Sequence, residues 1–143
     1  MALTGIALVG MAIAAYLTAT HAKVVPLVCS LNAVVNCASV THSAYSVIPG
    51  TSVPISSLGV AWFLVNGLIS VIAWRAASSG TDEPGWLRPI QLVWATPALL
   101  FVLYLVYVEI VVLHQICEWC TIVHLLVAAS FVLALLRLQR ATW

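Results

Sequence analysis

Four long apolar stretches dominate the pattern of hydrophobic and polar positions along this chain. The hydrocarbon core of a bilayer is about 30 Å thick, so a helix needs about 20 residues to cross it. The stretches at 2–20, 58–74, 90–113 and 117–136 approach that length. The pattern therefore predicts an all-α protein with four membrane-spanning helices.

The composition supports the same conclusion. Of the 143 residues, 64% are hydrophobic and only 6% are charged, and the mean hydropathy is +1.14. Soluble domains carry about 25% charged residues. We therefore expect an integral membrane protein with a single domain over residues 1–143, surrounded by membrane lipid. The net charge of +1 gives no basic surface for nucleic acid, and we exclude that class of partner.

The first stretch allows a second interpretation, a cleaved signal peptide. Ala19-Thr20-His21-Ala22 resembles a small-residue cleavage site. A signal peptide normally begins with a basic segment, and none precedes this stretch. We therefore expect it to remain in the protein as a span.

The basic residues predict how the chain is oriented, because Lys and Arg near helix ends stay on the cytoplasmic side. With four spans, one side carries Arg75, Arg88, Arg137 and Arg140, and the other carries Lys23. Both termini should then be cytoplasmic, in a prokaryotic plasma membrane or, in a eukaryote, the membrane of the endoplasmic reticulum. All four cysteines would lie at the outer face, where disulfides persist.

The segments between the spans differ in character. Residues 76–88 have the polar composition of a short solvated loop. Residues 23–57 are long and apolar, and Pro49, Gly50 and Pro54 interrupt them before the second span. A free loop would not need that apolar content. We therefore expect 23–57 to cover the outer end of the helices as a lid with short helical pieces.

Cys117 and Cys120 begin the last predicted span. Their spacing puts both thiols on one face of a helix, close enough to form a disulfide. The N-terminus of a helix favours an anion, which makes Cys117 the expected thiolate. Glu118 beside it opposes this effect unless its carboxylate points away.

A second pair, Cys29 and Cys37, lies in the lid. These cysteines could bridge to each other or reach the helical pair, and two dithiols within reach of each other can act as a thiol-disulfide relay. We favour redox function over two alternatives, which are disulfides that only staple the lid of a structural subunit and a metal site. The metal ligands would be Cys117, Cys120, His114 and His124.

Three polar side chains are predicted inside the membrane, where such groups are costly and usually functional. His124 lies one turn below Cys120 on the same helical face. We expect it to donate a hydrogen bond or a proton to a carbonyl of an oxidant. Glu109 should pair with His114 or His124, or reach the interface. Asn66 should bond to a neighbouring helix or contact a ligand.

Taken together, these residues resemble the vitamin K epoxide reductase family of membrane thiol oxidoreductases, which includes prokaryotic disulfide-forming members. The matching features, in chain order, are Cys29 and Cys37 after the first span, Ser43 six residues later, Gly59 at the start of the second span, and Cys117-Glu118-Trp119-Cys120 at the start of the fourth. The resemblance covers nearly the whole chain.

The resemblance implies a four-helix bundle that encloses a quinone beneath the lid. Electrons would come from a periplasmic or lumenal thioredoxin-like protein. Cys29 would exchange with that protein, and Cys37 would pass electrons to Cys117. Cys120 would face the quinone, and Ser43 would lie near the active pair.

Two departures from the animal enzymes of the family concern the substrate. Those enzymes have tyrosine where this chain has His124, and asparagine shortly before the second-span glycine, where this chain has Ile-Ser-Ser-Leu at 55–58. His124 is similar to the prokaryotic pattern. The resemblance therefore implies reduction of a respiratory quinone, such as ubiquinone, menaquinone or a vitamin K-like quinone, rather than of vitamin K epoxide.

We expect the partner to be a separate thioredoxin-like (DsbA-like) protein. Some prokaryotic relatives carry a fused thioredoxin-like domain after a further span, whereas this chain ends at Trp143. A DsbB-like protein performs the same reaction with the two cysteine pairs in the reverse order. The sequence therefore predicts a quinone-dependent thiol-disulfide oxidoreductase that supports disulfide bond formation.

Overall fold

A computed structural model describes residues 1–140. The α-helices in this part are α1 (Ala2–His21), α2 (Cys37–Thr41), α3 (Ile55–Ser78), α4 (Leu87–Tyr107) and α5 (Glu118–Gln139). A 3-10 helix at Ala44–Ser46 follows α2, and a π-helix at Val108–Val112 extends α4. The chain end at Trp143, on which the expectation of a separate partner rests, lies outside the described residues.

The predicted fold class is confirmed. Within residues 1–140, four helices are long and apolar enough to cross a membrane, namely α1, α3, α4 with its π-helical extension, and α5. The structure is 71% helical, and no strand forms among the described residues. Helices are favoured because lipid offers the backbone no hydrogen-bond partner, so each segment must satisfy its own N–H and C=O groups.

The helices pack through small residues and one central cluster. α1 packs against α3 and α5, α4 packs along α5, and α3 and α4 contact each other much less. Each long helix contributes one buried residue to the central cluster, which consists of Ala14, Phe63, Val102 and Val127. The ring of Phe63 occupies the position that a side chain at Gly10 would need. This glycine therefore sets how closely α1 and α3 approach.

The outward faces of the long helices are apolar. Leu8, Leu68, Val93 and Leu125 are all more than half exposed. Soluble monomers rarely expose such large apolar surfaces. These faces fit a lipid environment.

The lid between α1 and α3, residues 22–54, is confirmed as a strap with short helical pieces. Residues 55–57 of the predicted lid belong instead to α3. The strap leaves α1 through Lys23, whose φ of 59° turns the chain sharply. Asn36 caps α2, because its Oδ1 accepts a hydrogen bond from the Ser39 N–H at 3.0 Å.

The loop between α3 and α4 is not the purely solvated loop that its composition predicts. Glu83 accepts hydrogen bonds from Arg88 at 3.0 Å and from Arg137. Arg137 also donates to Gln91 Oε1, and Gln91 Nε2 donates to Ser70 Oγ at 3.0 Å. These five residues, the inner polar network, join α3, α4 and α5 at the end of the bundle opposite the cysteines.

Candidate redox site

All four cysteines lie in one cluster at the end of the bundle that the strap covers, which we call the outer end. Cys37, at the start of α2, and Cys117, just before α5, are both 0% exposed and pack together with Val40. Cys29 and Cys120 pack against this buried centre. We call these four residues the outer cysteine cluster.

The two cysteine pairs are in different redox states. Cys29 and Cys37 form a disulfide with a Cα–Cα distance of 6.1 Å. Cys117 and Cys120 are free thiols. The sequence left the resting pairing open, and the fold joins the pair in the strap while the pair on the helix stays reduced.

Cys117 is the residue that caps α5. Its Sγ accepts a hydrogen bond from the backbone N–H of Cys120 at 3.3 Å. A hydrogen bond from the Cys120 thiol, helped by this N–H, holds the pKa of the Cys117 thiol below its ordinary value, although burial acts in the opposite direction. The expectation that Cys117 is the more acidic thiol agrees with this geometry.

The carboxylate of Glu118 faces the strap. Its Oε1 accepts a hydrogen bond from the Ser30 N–H at 3.0 Å, next to Cys29 in the chain. This contact connects the first turn of α5 to the strap disulfide. The sequence predicts that the negative charge of Glu118 opposes a thiolate at Cys117 unless the carboxylate points away. In the structure, the carboxylate accepts the Ser30 N–H of the strap.

The metal site proposed from the sequence is not assembled. Among residues 1–140, the side chains close enough together to hold one metal ion are Cys29, Cys37 and Glu118, whose ligand atoms lie within 4.8 Å of one another. Two of these atoms are the sulfurs of the disulfide. His114 lies apart, with its Nδ1 at 3.1 Å from the carbonyl of Ile110.

An aromatic contact holds the strap against α1 and α5. Trp119 Nε1 donates to the Val28 carbonyl at 2.6 Å, and the Trp119 ring lies edge-on to Tyr16 with centroids 5.3 Å apart. The Tyr16 hydroxyl accepts from the Val28 N–H at 2.9 Å and donates to the Pro26 carbonyl at 3.2 Å. Both backbone groups of the residue before Cys29 are therefore bonded to helix side chains.

A backbone contact holds the strap next to Cys37. The Ile116 N–H donates to the Val34 carbonyl at 2.8 Å, and the Asn36 N–H donates to the Ile116 carbonyl at 3.1 Å. Val35 and Ile116 form an isolated parallel bridge. These bonds position the start of α2, and with it Cys37, directly beside Cys117.

Ser43 lies after α2, where its side chain bonds to the strap itself. Its Oγ donates to the Val40 carbonyl at 2.8 Å, and its carbonyl accepts from Ser46 Oγ at 2.7 Å. Val40 belongs to the buried centre of the cysteine cluster. Ser43 therefore contacts the cluster through α2.

A cavity of about 470 Å³ opens beside the cysteine cluster. Its walls are mainly apolar and come from all four long helices and from α2. Cys120 lies on the wall, and large aromatic side chains, including Trp62 and Phe101, line the part within the bundle. The cavity has the size and the apolar lining of small-molecule sites in proteins.

Two of the predicted polar residues lie at this cavity. His124 and Glu109 both line it and are both largely buried. Glu109 Oε2 accepts the Cys117 N–H at 3.2 Å. This bond to the start of α5 takes the place of the expected pairing with His114 or His124.

Asn66, in contrast, is not among the residues that line the cavity. It is 0% exposed, and among the described residues its side-chain nitrogen and oxygen have no hydrogen-bond partner. Its backbone carbonyl accepts from Ser70 Oγ at 2.7 Å, which links it to the inner polar network.

Sequence reasoning missed a histidine at the cavity, His21. It is the last residue of α1 and lines the cavity from the side of the strap. The available signal was a histidine at the outer end of a span, directly before the lid. In the sequence, His21 stands out only as part of a possible cleavage site.

Comparison with known protein families supports the resemblance. The family model described as the vitamin K epoxide reductase family matches residues 1–135. No individual curated protein matches the chain. Proteins of this family are membrane oxidoreductases that act on quinones or vitamin K and on thiol partners.

Proposed function

This chain belongs to the vitamin K epoxide reductase family, and we propose that it oxidises a separate thioredoxin-like (DsbA-like) protein and reduces a respiratory quinone. It would thereby support disulfide bond formation, as the prokaryotic members of the family do. The reaction takes place at the outer face of a prokaryotic plasma membrane, with both termini in the cytoplasm. The distribution of Arg75, Arg88, Arg137 and Arg140 against Lys23 supports this orientation.

The observation that carries the proposal is the shared burial of Cys37 and Cys117 between two pairs of opposite redox state. A thiolate of the partner attacks Cys29, which is the partly exposed sulfur of the strap disulfide. The partner leaves with a disulfide, and Cys29 and Cys37 become thiols. Cys37 then attacks the Cys117–Cys120 disulfide at Cys117 and releases Cys120 as a thiol. Cys29 attacks Cys37 in this mixed disulfide and releases Cys117, so that two electrons have moved to the inner pair.

The disulfide in the strap and the two thiols on α5 correspond to the state that follows this transfer. The inner pair then holds two electrons and the outer pair is ready for another partner. The lowered pKa of Cys117 makes it a good leaving group when Cys29 attacks the mixed disulfide, and a good nucleophile in the reverse step.

The second half of the reaction uses the cavity. Its volume of about 470 Å³ and its apolar walls fit the ring of a quinone, and Cys120 provides a thiol on the wall. A bound quinone accepts two electrons and two protons. His124 lies on the same helix as Cys120 and donates a hydrogen bond to one of the ring oxygens.

Glu109 is the second polar residue that we assign to the reaction. Its carboxylate bonds to the backbone of Cys117 and also lines the cavity. It therefore connects the thiol pair with the quinone-binding wall. Ser43 holds the end of α2 near the active pair, and Asn66 is a buried residue of α3 that does not line the cavity.

A reduction assay with purified protein tests the function. The protein is mixed with ubiquinone or menaquinone and a reduced thioredoxin-like protein, and quinone absorbance and partner thiols are followed together. One quinone should be reduced for each partner disulfide that forms. An unchanged quinone absorbance would refute the proposal.

Three controls separate the competing functions. Cys117→Ser should abolish the reaction, whereas Ser30→Ala, which removes a neighbouring hydroxyl of the strap, should retain it. Vitamin K epoxide in place of the quinone tests the reaction of the animal enzymes. Faster turnover of the epoxide than of any quinone would assign the protein to that branch of the family.

A further inference from the structure

A pair of histidines stands at the mouth of the cavity, and neither takes part in the thiol relay. His21, at the end of α1, and His42, directly after α2, stack with ring centroids 5.5 Å apart. His21 lines the cavity, whereas His42 is exposed at the outer surface. The pair therefore places two imidazoles in series between the outer surface and the cavity.

The hydrogen bond of His21 determines which nitrogen can exchange a proton. Its Nδ1 lies 3.0 Å from the carbonyl oxygen of Thr41. A carbonyl can only accept, so Nδ1 carries a proton and Nε2 is the nitrogen at which protons come and go. The bond also fixes the ring, because Thr41 is buried and belongs to α2.

The other titratable groups around the pair do not block proton exchange at His21. Glu109, His124 and Tyr45 line the same cavity, and Lys23 follows His21 in the chain. The ion pairs of residues 1–140 lie in the inner polar network, so neither histidine of the pair is tied to a carboxylate. Such a bond would hold one protonation state and slow proton transfer.

We propose that His21 delivers a proton from outside water to the quinone, with His42 as the outer member of the pair. This inference rests on the proposed function. It gives the reaction two donors on different walls, His124 on α5 and His21 on α1, which suits a substrate with two ring oxygens.

The step balances. The S–H bonds of Cys117 and Cys120 break, one S–S bond forms, and two electrons pass to the quinone, where two O–H bonds form. The thiols release two protons and the quinone oxygens take up two. His21 donates one of the two protons that the quinone takes up, and water protonates His21 again through His42. One proton from the thiols is released at the outer face in exchange, so the number of protons is conserved.

The inner end offers no comparable route. Ser70 and Gln91 do not appear among the residues that line the cavity, and both are bonded within the inner polar network. A proton from the cytoplasm would have to cross the central cluster around Phe63, which is apolar. The outer mouth is therefore the favoured entrance.

Kinetics test the assignment with matched histidine variants. His21→Gln keeps a side-chain N–H for the Thr41 carbonyl but cannot transfer a proton. General acid catalysis contributes about 100-fold or more, and because water can enter the open mouth we expect kcat to fall about tenfold with KM unchanged. His42→Gln should lower kcat less. His114→Asn, at an exposed histidine away from the cavity, should leave kcat unchanged.

A chemical footprint gives a readout that does not depend on turnover. Diethyl pyrocarbonate acylates unprotonated imidazole nitrogens, and mass spectrometry reports each histidine separately. A quinone added to the oxidised protein, in which both cysteine pairs are bridged, should protect His21. His114 should be modified equally with and without the quinone.

Rescue by added imidazole separates proton transfer from packing. His21→Ala removes the ring and leaves space at the mouth, and imidazole should restore part of its kcat. Loss of kcat without rescue, a change in KM alone, or no protection of His21 by quinone would overturn the inference. If the wild-type protein reduces no quinone, the proposed function fails; if it does and His21→Gln equals His114→Asn, only this inference fails.

Discussion

The two ends of the bundle both carry polar side chains, but they use them differently. At the inner end, Glu83, Arg137 and Gln91 bond to one another and join three long helices. At the outer end, Glu118 and Trp119 bond to the backbone of the strap and not to another helix. The inner contacts join the long helices to one another, whereas the outer contacts join the strap to the first turn of α5.

This difference matches the chemistry of each end. A thiol-disulfide relay needs sulfurs that approach and separate, and the strap carries two of them on a segment that hydrogen bonds join to the first turn of α5. A bundle around a cavity needs fixed walls, and charge-assisted hydrogen bonds are the stronger kind. The strap with its two relay sulfurs and the network that joins the helices therefore lie at opposite ends of the bundle.

The largest expected effect comes from breaking the relay at the outer end. In Cys120→Ala, the Cys117 thiolate can attack Cys37 and release Cys29, and the variant lacks the Cys120 thiol that would resolve the new bond at Cys117. Disulfide mapping by mass spectrometry should find Cys37–Cys117, and quinone reduction should be undetectable. In Cys117→Ala, Cys29 and Cys37 should stay bridged, because the variant lacks the thiol that lies beside Cys37 in the buried centre of the cluster. A Cys29–Cys37 bridge in both variants would contradict the relay.

The next effect concerns the inner end. Arg137→Met leaves Glu83 and Gln91 without their shared donor, and hydrogen bonds to charged groups contribute about 2 kcal/mol at a partly exposed site. The free energy of unfolding in detergent should fall by about this amount, while kcat of the folded fraction stays the same. Arg140→Met, at an exposed residue one turn beyond the network, is the control. Equal free energies of unfolding of the two variants would show that the inner polar network does not stabilise the bundle.

A smaller effect should follow from loosening the strap. Trp119→Phe keeps the ring against Tyr16 but removes the hydrogen bond to the Val28 carbonyl, which is worth about 1 kcal/mol. Amide hydrogen exchange in the strap should become faster, and exchange in α4 should not change. Trp86→Phe, at an exposed residue of the inner end, serves as the control. Uniform acceleration throughout the protein would mean that the strap is not a separate unit.

The smallest effect is electrostatic. Glu118→Gln retains an oxygen that can accept the Ser30 N–H but removes a negative charge within 4.8 Å of the strap sulfurs. Thiolates at Cys29 and Cys37 are then repelled less, so the reduction potential of their disulfide should rise. An exposed charge interaction of about 0.5–1 kcal/mol corresponds to about 10–20 mV. Asp82→Asn at the inner end should leave the reduction potential unchanged. A lower reduction potential in Glu118→Gln would contradict repulsion between Glu118 and the strap thiolates.

The sequence predicts the spans well because the constraint is local. A run of about 20 apolar residues in lipid must form a helix, whatever its neighbours are. The spacing of Cys117 and Cys120 likewise places both thiols on one face of α5. The strap is harder to predict, since its conformation follows contacts such as Val28 to Trp119 and Val34 to Ile116, which join distant parts of the chain.

The amino-acid sequence by itself determined four spans, an apolar lid and two cysteine pairs, since hydrophobic length and residue spacing act over one helix at a time. Only the tertiary structure decided that Cys37 lies beside Cys117, that Glu118 faces Ser30, and that His21 borders the cavity. It also brought Glu83, from a polar loop, to Arg137. Each of these outcomes depends on how separate helices and the strap pack, and periodicity along one segment carries no information about that packing.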